Sequence, residues 1–254
     1  MKIVIITQNE PFYLTKSLKY LLNILPDNVD VVGCVVADVS PFGKKESFFK
    51  KAKKTYDIFG LNFFTYYSFK YLKSKFKPKK NLKKFLRSVD IPIIILDKPI
   101  NNQSSVSVIK TYNPDLLVSI LGNQIFKAPI LNLAPKGCIN LHTALLPKYR
   151  GLMPTFWVMK NNEKKTGVSV FFVDEGIDSG PIIVQTEVEI GDRTQEELIT
   201  YTKKIGMEAI SKSIDLIQKD KVVFIKNDSS QKTYFTFPTK SDVSVFNKIG
   251  KQFF

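Results

Sequence analysis

The chain opens on a short β-branched run, Lys2 to Thr7 (KIVIIT), which predicts a strand buried on both faces. Leu14, Leu18, Leu21, Leu22 and Leu25 then recur at helical spacing and predict an amphipathic helix over 13–25. Further strands are predicted at 30–36 (DVVGCVV), 91–96 (IPIIIL), 116–121 (LLVSIL), 137–141 (GCINL), 166–173 and 181–190. Helices are predicted near 106–112 and over 154–159. Thr194 with Glu197 three residues later reads as a capping box opening a helix that reaches about Ile217. A last short strand is predicted at 222–225 (VVFI). Strands alternating with helices imply right-handed βαβ units, so the expected fold is α/β, an open wound, mainly parallel sheet.

Composition narrows the class. With 254 residues, 44% hydrophobic and 24% charged, the chain can bury a substantial core. No apolar stretch approaches the ~18 residues a membrane span needs. Two cysteines, Cys34 and Cys138, are too few for a disulfide scaffold, and no CxxC or His-rich metal spacing exists. Secreted, spanning, collagenous and disordered classes are therefore excluded, and a reducing cytoplasm is expected.

The net charge of +15 is concentrated in one segment. Residues 40–88 carry 15 Lys or Arg against two acids, together with 13 of the 31 aromatics, while the other 205 residues are nearly neutral. Two short helices are expected there, 46–59 and 61–76, broken by Gly60 and stopped by Pro78. The segment reads either as an inserted helical hairpin with aromatics packed and lysines solvated, or as a surface for anionic lipid or another polyanion. Nucleic-acid binding has the charge in its favour but no accompanying motif. The insert is expected to be peripheral to catalysis and, as a lipid-facing surface, to govern where the protein sits; a plain packed hairpin is the alternative.

The chemistry-bearing stretch is GCINLHTALLPKYRGLMPTFW, residues 137–157. His142 is the only histidine, so any imidazole acid–base step must use it. Asn140 and His142 stand two apart at a strand end, so both side chains face the same space, at the carboxyl edge where ligands bind parallel sheets. A core histidine is the bland alternative. In a second stretch, FFVDEGIDSGPIIVQ, Asp174, Glu175 and Asp178 crowd a short loop between apolar strands. Solvated turn acids explain Asp174 and Glu175 equally well. Asp178 stands apart, held between Ile177 and Ser179-Gly180 directly before a strand.

Together these stretches resemble the catalytic core of the 10-formyltetrahydrofolate-dependent formyltransferases. That family includes glycinamide ribonucleotide, methionyl-tRNA and sugar N-formyltransferases. The resemblance rests on Asn140-x-His142, on Leu145-Leu146-Pro147-Lys148-Tyr149-Arg150-Gly151 and on Ile177-Asp178-Ser179-Gly180, with 36 residues from His142 to Asp178. It implies a Rossmann-like formyltransferase core over 1–200, with the insert at about 40–88, and a C-terminal helix and extension over 201–254. It also implies a cis peptide at Leu146-Pro147. Asn140, His142 and Asp178 would be the catalytic residues: two donors to an oxyanion, and a carboxylate that favours the charged ring, orients it and relays the proton. The formyl donor 10-formyltetrahydrofolate would bind at Leu121, Gly122, Asn123, Gln124 and Ile125 with Asp174, Glu175, Gly176 and Ile177. No metal is required.

Departures from the family's patterns bear on the acceptor. The loop after the first strand, Gln8-Asn9-Glu10-Pro11-Phe12, has no glycine and carries an acid, which disfavours glycinamide ribonucleotide. Too little chain follows the last core helix for the C-terminal barrel of the tRNA enzymes. The expected acceptor is therefore a small-molecule amine, an amino-deoxy sugar linked to a nucleotide and used in surface polysaccharide synthesis, with tRNA behind it. The apolar tail around Tyr234, Phe235, Phe237 and Pro238 suggests a packed extension of the kind that makes a homodimer. A peripheral contact with anionic membrane at the inner face would give the insert a purpose. A non-catalytic, membrane-attached interaction module is the competing class.

Overall fold

The computed structural model describes residues 1–37, 47–75, 81–122 and 124–254. Asn123 and both ends of the predicted insert helices therefore lie outside the described residues. The elements in chain order are β1 (Lys2–Gln8), α1 (Leu14–Ile24), β2 (Asp30–Ala37), α2 (Phe48–Lys75), α3 (Leu82–Ser88), β3 (Ile93–Ile94), α4 (Gln103–Lys110), β4 (Leu116–Ser119), α5 (Ala128–Leu131) and β5 (Cys138–His142). After these come β6 (Arg150–Gly151), α6 (Pro154–Lys160), β7 (Lys165–Phe172), β8 (Ile182–Glu189), α7 (Gln195–Gln218), β9 (Tyr234–Phe235) and α8 (Lys240–Lys248).

The main sheet runs β3-β2-β1-β4-β5-β7-β8. Its first five strands are mutually parallel, and β7 and β8 continue it antiparallel. Alternation explains why β1 is apolar throughout. Ile3 and Ile5 pack with Leu14, Leu18 and Leu21 of α1 and Met207, Ile210 and Ile214 of α7, while Val4 and Ile6 pack with Val106 and Ile109 of α4 and Ile130 of α5. Helices thus cover both faces, as a parallel sheet requires. The chain winds from β1 outward through β2 to β3, then returns to β4 on the other side of β1. That reversal opens a crevice at the carboxyl ends of β1 and β4, where open α/β sheets bind ligands.

Local chemistry sets the helix boundaries. The Thr194–Glu197 capping box is formed at the start of α7. Gly60, at φ 81°, breaks α2 where expected, because only glycine enters that region freely. The two halves fold back on each other, bringing the Phe48 and Tyr71 rings to 6.1 Å and Tyr56 and Phe64 to 5.9 Å. The inner side of this hairpin, Phe59 and Phe63, packs on Phe253 near the C-terminus.

Three expectations change. The insert ends before α3, because Leu82 and Leu86 are buried in the main core and α3 is the crossover helix between β2 and β3. A boundary at 200 would cut α7, whose buried stripe runs from Leu198 to Ile217, so the extension begins after Gln218. No strand forms at 222–225. Ile225 makes one bridge, exchanging two backbone hydrogen bonds with Ile182, while Val223 and Phe224 before it are 82% and 56% exposed, Phe224 meeting the Phe172 ring edge-on at 6.0 Å. The apolar tail packs on its own chain: β9 pairs with β6, and Phe246 of α8 stacks on Phe156 of α6 at 5.1 Å.

Candidate active site

β5 ends in the crevice and delivers Asn140 and His142 to one cavity, as their period-two spacing requires. His142 is buried, and both its ring nitrogens face oxygen. Nε2 lies 2.7 Å from the Tyr149 carbonyl, and Nδ1 lies 3.6 Å from Oδ2 of Asp178. A neutral imidazole has one N–H and can serve only one of these acceptors; a doubly protonated ring serves both.

Asp178 is held by the loop that carries the Pro-Lys-Tyr-Arg-Gly run. The backbone N–H of Gly151 donates to its Oδ2 at 2.8 Å, and the Leu146–Pro147 bond in that loop is cis, as the resemblance implied. Gly151 sits at φ 96°, and a Cβ there would come within 2.2 Å of the Phe235 carbonyl, so the position demands glycine. Leu121, Tyr149, Met153 and Asp178 all have φ between 50° and 59°. Left-handed backbone at bulky residues costs of order 1–3 kcal/mol each and collects where surrounding structure imposes it.

Support comes from residues that sequence reading passed over. Asn227, just after the Ile225 bridge, donates through Nδ2 to the carbonyls of Asp178 (3.0 Å) and Gly180 (2.8 Å) and accepts from Nη2 of Arg150 at 2.8 Å. Thr233 Oγ1 accepts from the backbone N–H of Tyr149 at 2.8 Å. Ser169, fully buried on β7, donates to the Ala144 carbonyl and accepts from the N–H of Leu146. Only a run of turn-forming Asn, Asp and Ser at 227–230 could have hinted at the first of these.

Two cavities meet at this cluster. One, of about 150 Å³, is bordered by Leu14 and Ser17 of α1, by Leu121 and His142, and by Lys203 and Met207 of α7. The other, of about 110 Å³, is bordered by Gln124, Ile125, Phe126, Val173, Asp174, Gly176 and Ile177. Gly122, Asn140, Gly151 and Asp178 border both. Of the expected donor-site residues, Gly122, Gln124, Ile125, Asp174, Gly176 and Ile177 thus converge. Leu121 faces the first cavity instead, and Glu175 is exposed and lines neither. Asp174 is engaged within its loop, accepting from Ser179 Oγ at 2.6 Å.

The first cavity shares Ser17 and Lys203 with a groove of about 770 Å³ between α1, α7 and the second half of α2. Phe12, Tyr13, Tyr20 and Tyr201 wall it, and Lys70 of the insert lines it, closer to the site than the sequence suggested. Lys70 donates to the Tyr13 hydroxyl and pairs with Glu196. Among the described residues no group of acidic, histidine and cysteine side chains could hold a metal, and no helix is long and apolar enough to cross a membrane. Cys34 and Cys138 are buried thiols, and burial pushes Cys34 up to about 12, which removes it as a nucleophile at neutral pH.

A site with two ligand spaces meeting at Asn, His and Asp suits group transfer, and likenesses to known proteins agree. The methionyl-tRNA formyltransferase of Alkaliphilus oremlandii is 41% identical over 133 residues, 52% of this chain and 43% of its own length. That of Kosmotoga olearia is 33% identical over 180 residues, 66% of this chain and 57% of its own. The chain thus spans about half the length of these curated relatives. In fold it is similar to the N-formyltransferase from Helicobacter canadensis solved with folinic acid and dTDP-3-aminofucose, at 20% identity, covering 93% of this chain and 71% of that one with a TM-score of 0.58. It is likewise similar to the phosphoribosylglycinamide formyltransferase from Anaplasma phagocytophilum, at 15% identity, covering 94% and 99% with a TM-score of 0.64. The family model described as formyl transferase matches residues 77–214, which takes in every segment bordering the two smaller cavities except α1, and the chain belongs to the formyl transferase family.

Proposed function

We propose that the chain transfers the formyl group of 10-formyltetrahydrofolate to the primary amine of an amino-deoxy sugar carried on a nucleotide. The folate is a substrate: its N10–formyl bond breaks as the bond from the amine nitrogen to the formyl carbon forms. Asn140 is a donor for the oxygen that gains charge as the amine adds, joined by His142 once its Nε2–H turns from the Tyr149 carbonyl to that oxygen. Asp178, fixed by Gly151, orients the ring and takes the amine's proton through water, and that proton leaves with the folate nitrogen. The smaller cavity, with Ile125, Phe126 and Val173 beside Gly122 and Gly176, suits one flat ring system of a folate. No metal enters these steps.

The observation that carries the acceptor assignment is that the catalytic cavity shares Ser17 and Lys203 with a groove whose volume is that of a small-molecule site. Support also comes from the solved sugar N-formyltransferase, which was crystallised with a nucleotide-linked amino sugar. Against glycinamide ribonucleotide stands Glu10. Its carboxylate accepts from the N–H groups of Phe12, Tyr13 and Leu14 at 2.7, 2.8 and 3.0 Å, so the start of α1 is already occupied by an anion of the chain itself.

The names of the sequence relatives favour a second reading, an acceptor of the methionyl-tRNA kind. The test is tetrahydrofolate release by purified protein given the formyl donor with a panel of nucleotide-linked amino sugars or with methionyl-tRNA. Release with at least one amino sugar supports the proposal; release with methionyl-tRNA alone overturns it.

The insert carries a proposal about location. Its aromatics divide: Phe59 and Phe63 pack inward, while Phe48, Phe49 and Phe69 stay exposed, Phe49 at 83%, among Lys50, Lys53 and Lys73. Exposed aromatics interleaved with lysines suit the interface of an anionic membrane.

A further inference from the structure

Lys203 occupies a position that should be apolar. On α7 it stands four residues before Met207 and seven before Ile210, both on the buried stripe, and it is only 8% exposed itself. It borders both the catalytic cavity and the groove, as Ser17 does. Its ammonium has neither a hydrogen bond nor an ion pair among the described residues. It faces the Tyr13 ring, with Nζ 5.8 Å from the centroid. Glu10 acts on it only at a distance, since that carboxylate is committed to the three N–H groups of α1. Lys70, by contrast, is neutralised by Glu196.

An unpaired ammonium in a buried wall is costly, and burial lowers its pKa to about 8. Such a charge is stabilised by an anion that arrives with a ligand. The surrounding walls say what the anion is attached to. Phe12, Tyr13, Tyr20 and Tyr201 supply aromatic rings, each with a cation already over one face, and Lys16 and Lys204 line the groove as well.

We propose that Lys203 binds a phosphoryl group of the acceptor at the wall shared by the catalytic cavity and the groove, with the attached nucleoside stacked among the groove's aromatics. The amine would then project past Ser17 toward Asn140 and His142. This rests on the nucleotide-linked acceptor proposed above. It assigns specificity to a helix outside the Asn, His and Asp motifs, and it moves the anion site from the start of α1, closed by Glu10, to α7.

The test is calorimetric titration of the full chain with thymidine diphosphate, uridine diphosphate, the two parent nucleosides and inorganic pyrophosphate, for wild type, Lys203→Met and Lys203→Arg. Folinic acid is titrated into every sample as a folding control. At least one nucleoside diphosphate is expected to bind wild type ~10-fold or more tighter than its nucleoside. Lys203→Met is expected to abolish that difference while leaving nucleoside and folinic acid affinity within about twofold, and Lys203→Arg to retain part of it. A diphosphate preference unchanged in Lys203→Met overturns the inference and leaves the sugar-nucleotide reading standing. Wild type that binds none of the nucleotides, but binds deacylated tRNA and formylates methionyl-tRNA, overturns the reading itself.

Discussion

Replacing Lys203 with methionine should make the protein more stable and less able to hold its acceptor, two effects that a merely structural lysine would not combine. Methionine keeps the length of the stem and removes the charge. The lysine is lowered from its ordinary value of 10.5 to about 8, chiefly by burial, with Glu10 opposing. At about 1.36 kcal/mol per unit, keeping the ammonium charged at pH 7 costs the folded state about 3 kcal/mol at most. That figure already includes the attraction to Glu10; loss of the Tyr13 ring contact reduces the gain, so about 1–3 kcal/mol of stabilisation is expected, or a rise in Tm of roughly 3–10 °C for a chain of this size. The sign follows from linkage. A lysine whose folded pKa is below its unfolded one binds fewer protons when folded, so wild type gains stability as pH rises from about 8 to 10.5. The difference between variant and wild type should therefore narrow over that interval. Lys16, Lys70, Glu196 and Lys204 line the groove beside the position in both proteins and largely cancel in the comparison, whereas Glu10 and Tyr13 act on the lysine itself. Denaturant unfolding at pH 7 and pH 9.5, with acceptor KM measured at pH 7, checks this. A variant less stable at pH 7, or a gap that does not change with pH, refutes the reasoning.

Other consequences are open to direct test. Gly151→Ala must displace either the β6 backbone or the Phe235 carbonyl, moving the N–H that holds Asp178; kcat should fall ~10-fold or more with folate affinity nearly unchanged, and normal kcat would contradict the positioning role. A bound reduced folate should slow hydrogen exchange of 122 and 124–125 together with 174–178; protection of one segment alone would mean that the folate does not lie between them. Replacement of Lys50, Lys51, Lys53 and Lys54 by glutamate should abolish co-sedimentation with anionic vesicles at low salt, an attraction of about 1 kcal/mol per well-placed lysine. Equal, negligible sedimentation of both proteins would leave the insert as a packed hairpin.

Periodicity made the sheet and its covering helices legible, because β1 and α7 are apolar in patterns that only burial on two faces or along one stripe explains. It misread 222–225, where an apolar run bounded by lysines looks like a strand but makes a single bridge and leaves Val223 and Phe224 largely exposed. It also assigned α3 to the insert, since the basic count of 40–88 obscured the apolar pair Leu82 and Leu86. Asn140, His142 and Asp178 could be picked out because they sit in linked motifs at fixed spacing. Asn227 and Thr233 could not, since they reach the site through the fold-back of the C-terminal segment, a long-range contact with no local pattern. Lys203 was legible in principle: a lysine at the apolar register of an otherwise buried helix face is the kind of conflict that marks a functional position.

The central claim is that Asn140, His142 and Asp178 carry out formyl transfer between the two cavities. The most direct measurement is single-turnover transfer of a radiolabelled formyl group from 10-formyltetrahydrofolate to the accepted amine by wild type, His142→Ala and Asp178→Ala, with folinic acid affinity measured on the same samples. Each variant is expected to lose ~10²–10³ or more in rate while keeping its folate affinity within a few-fold. Either variant transferring at more than roughly a tenth of the wild-type rate would place the chemistry elsewhere.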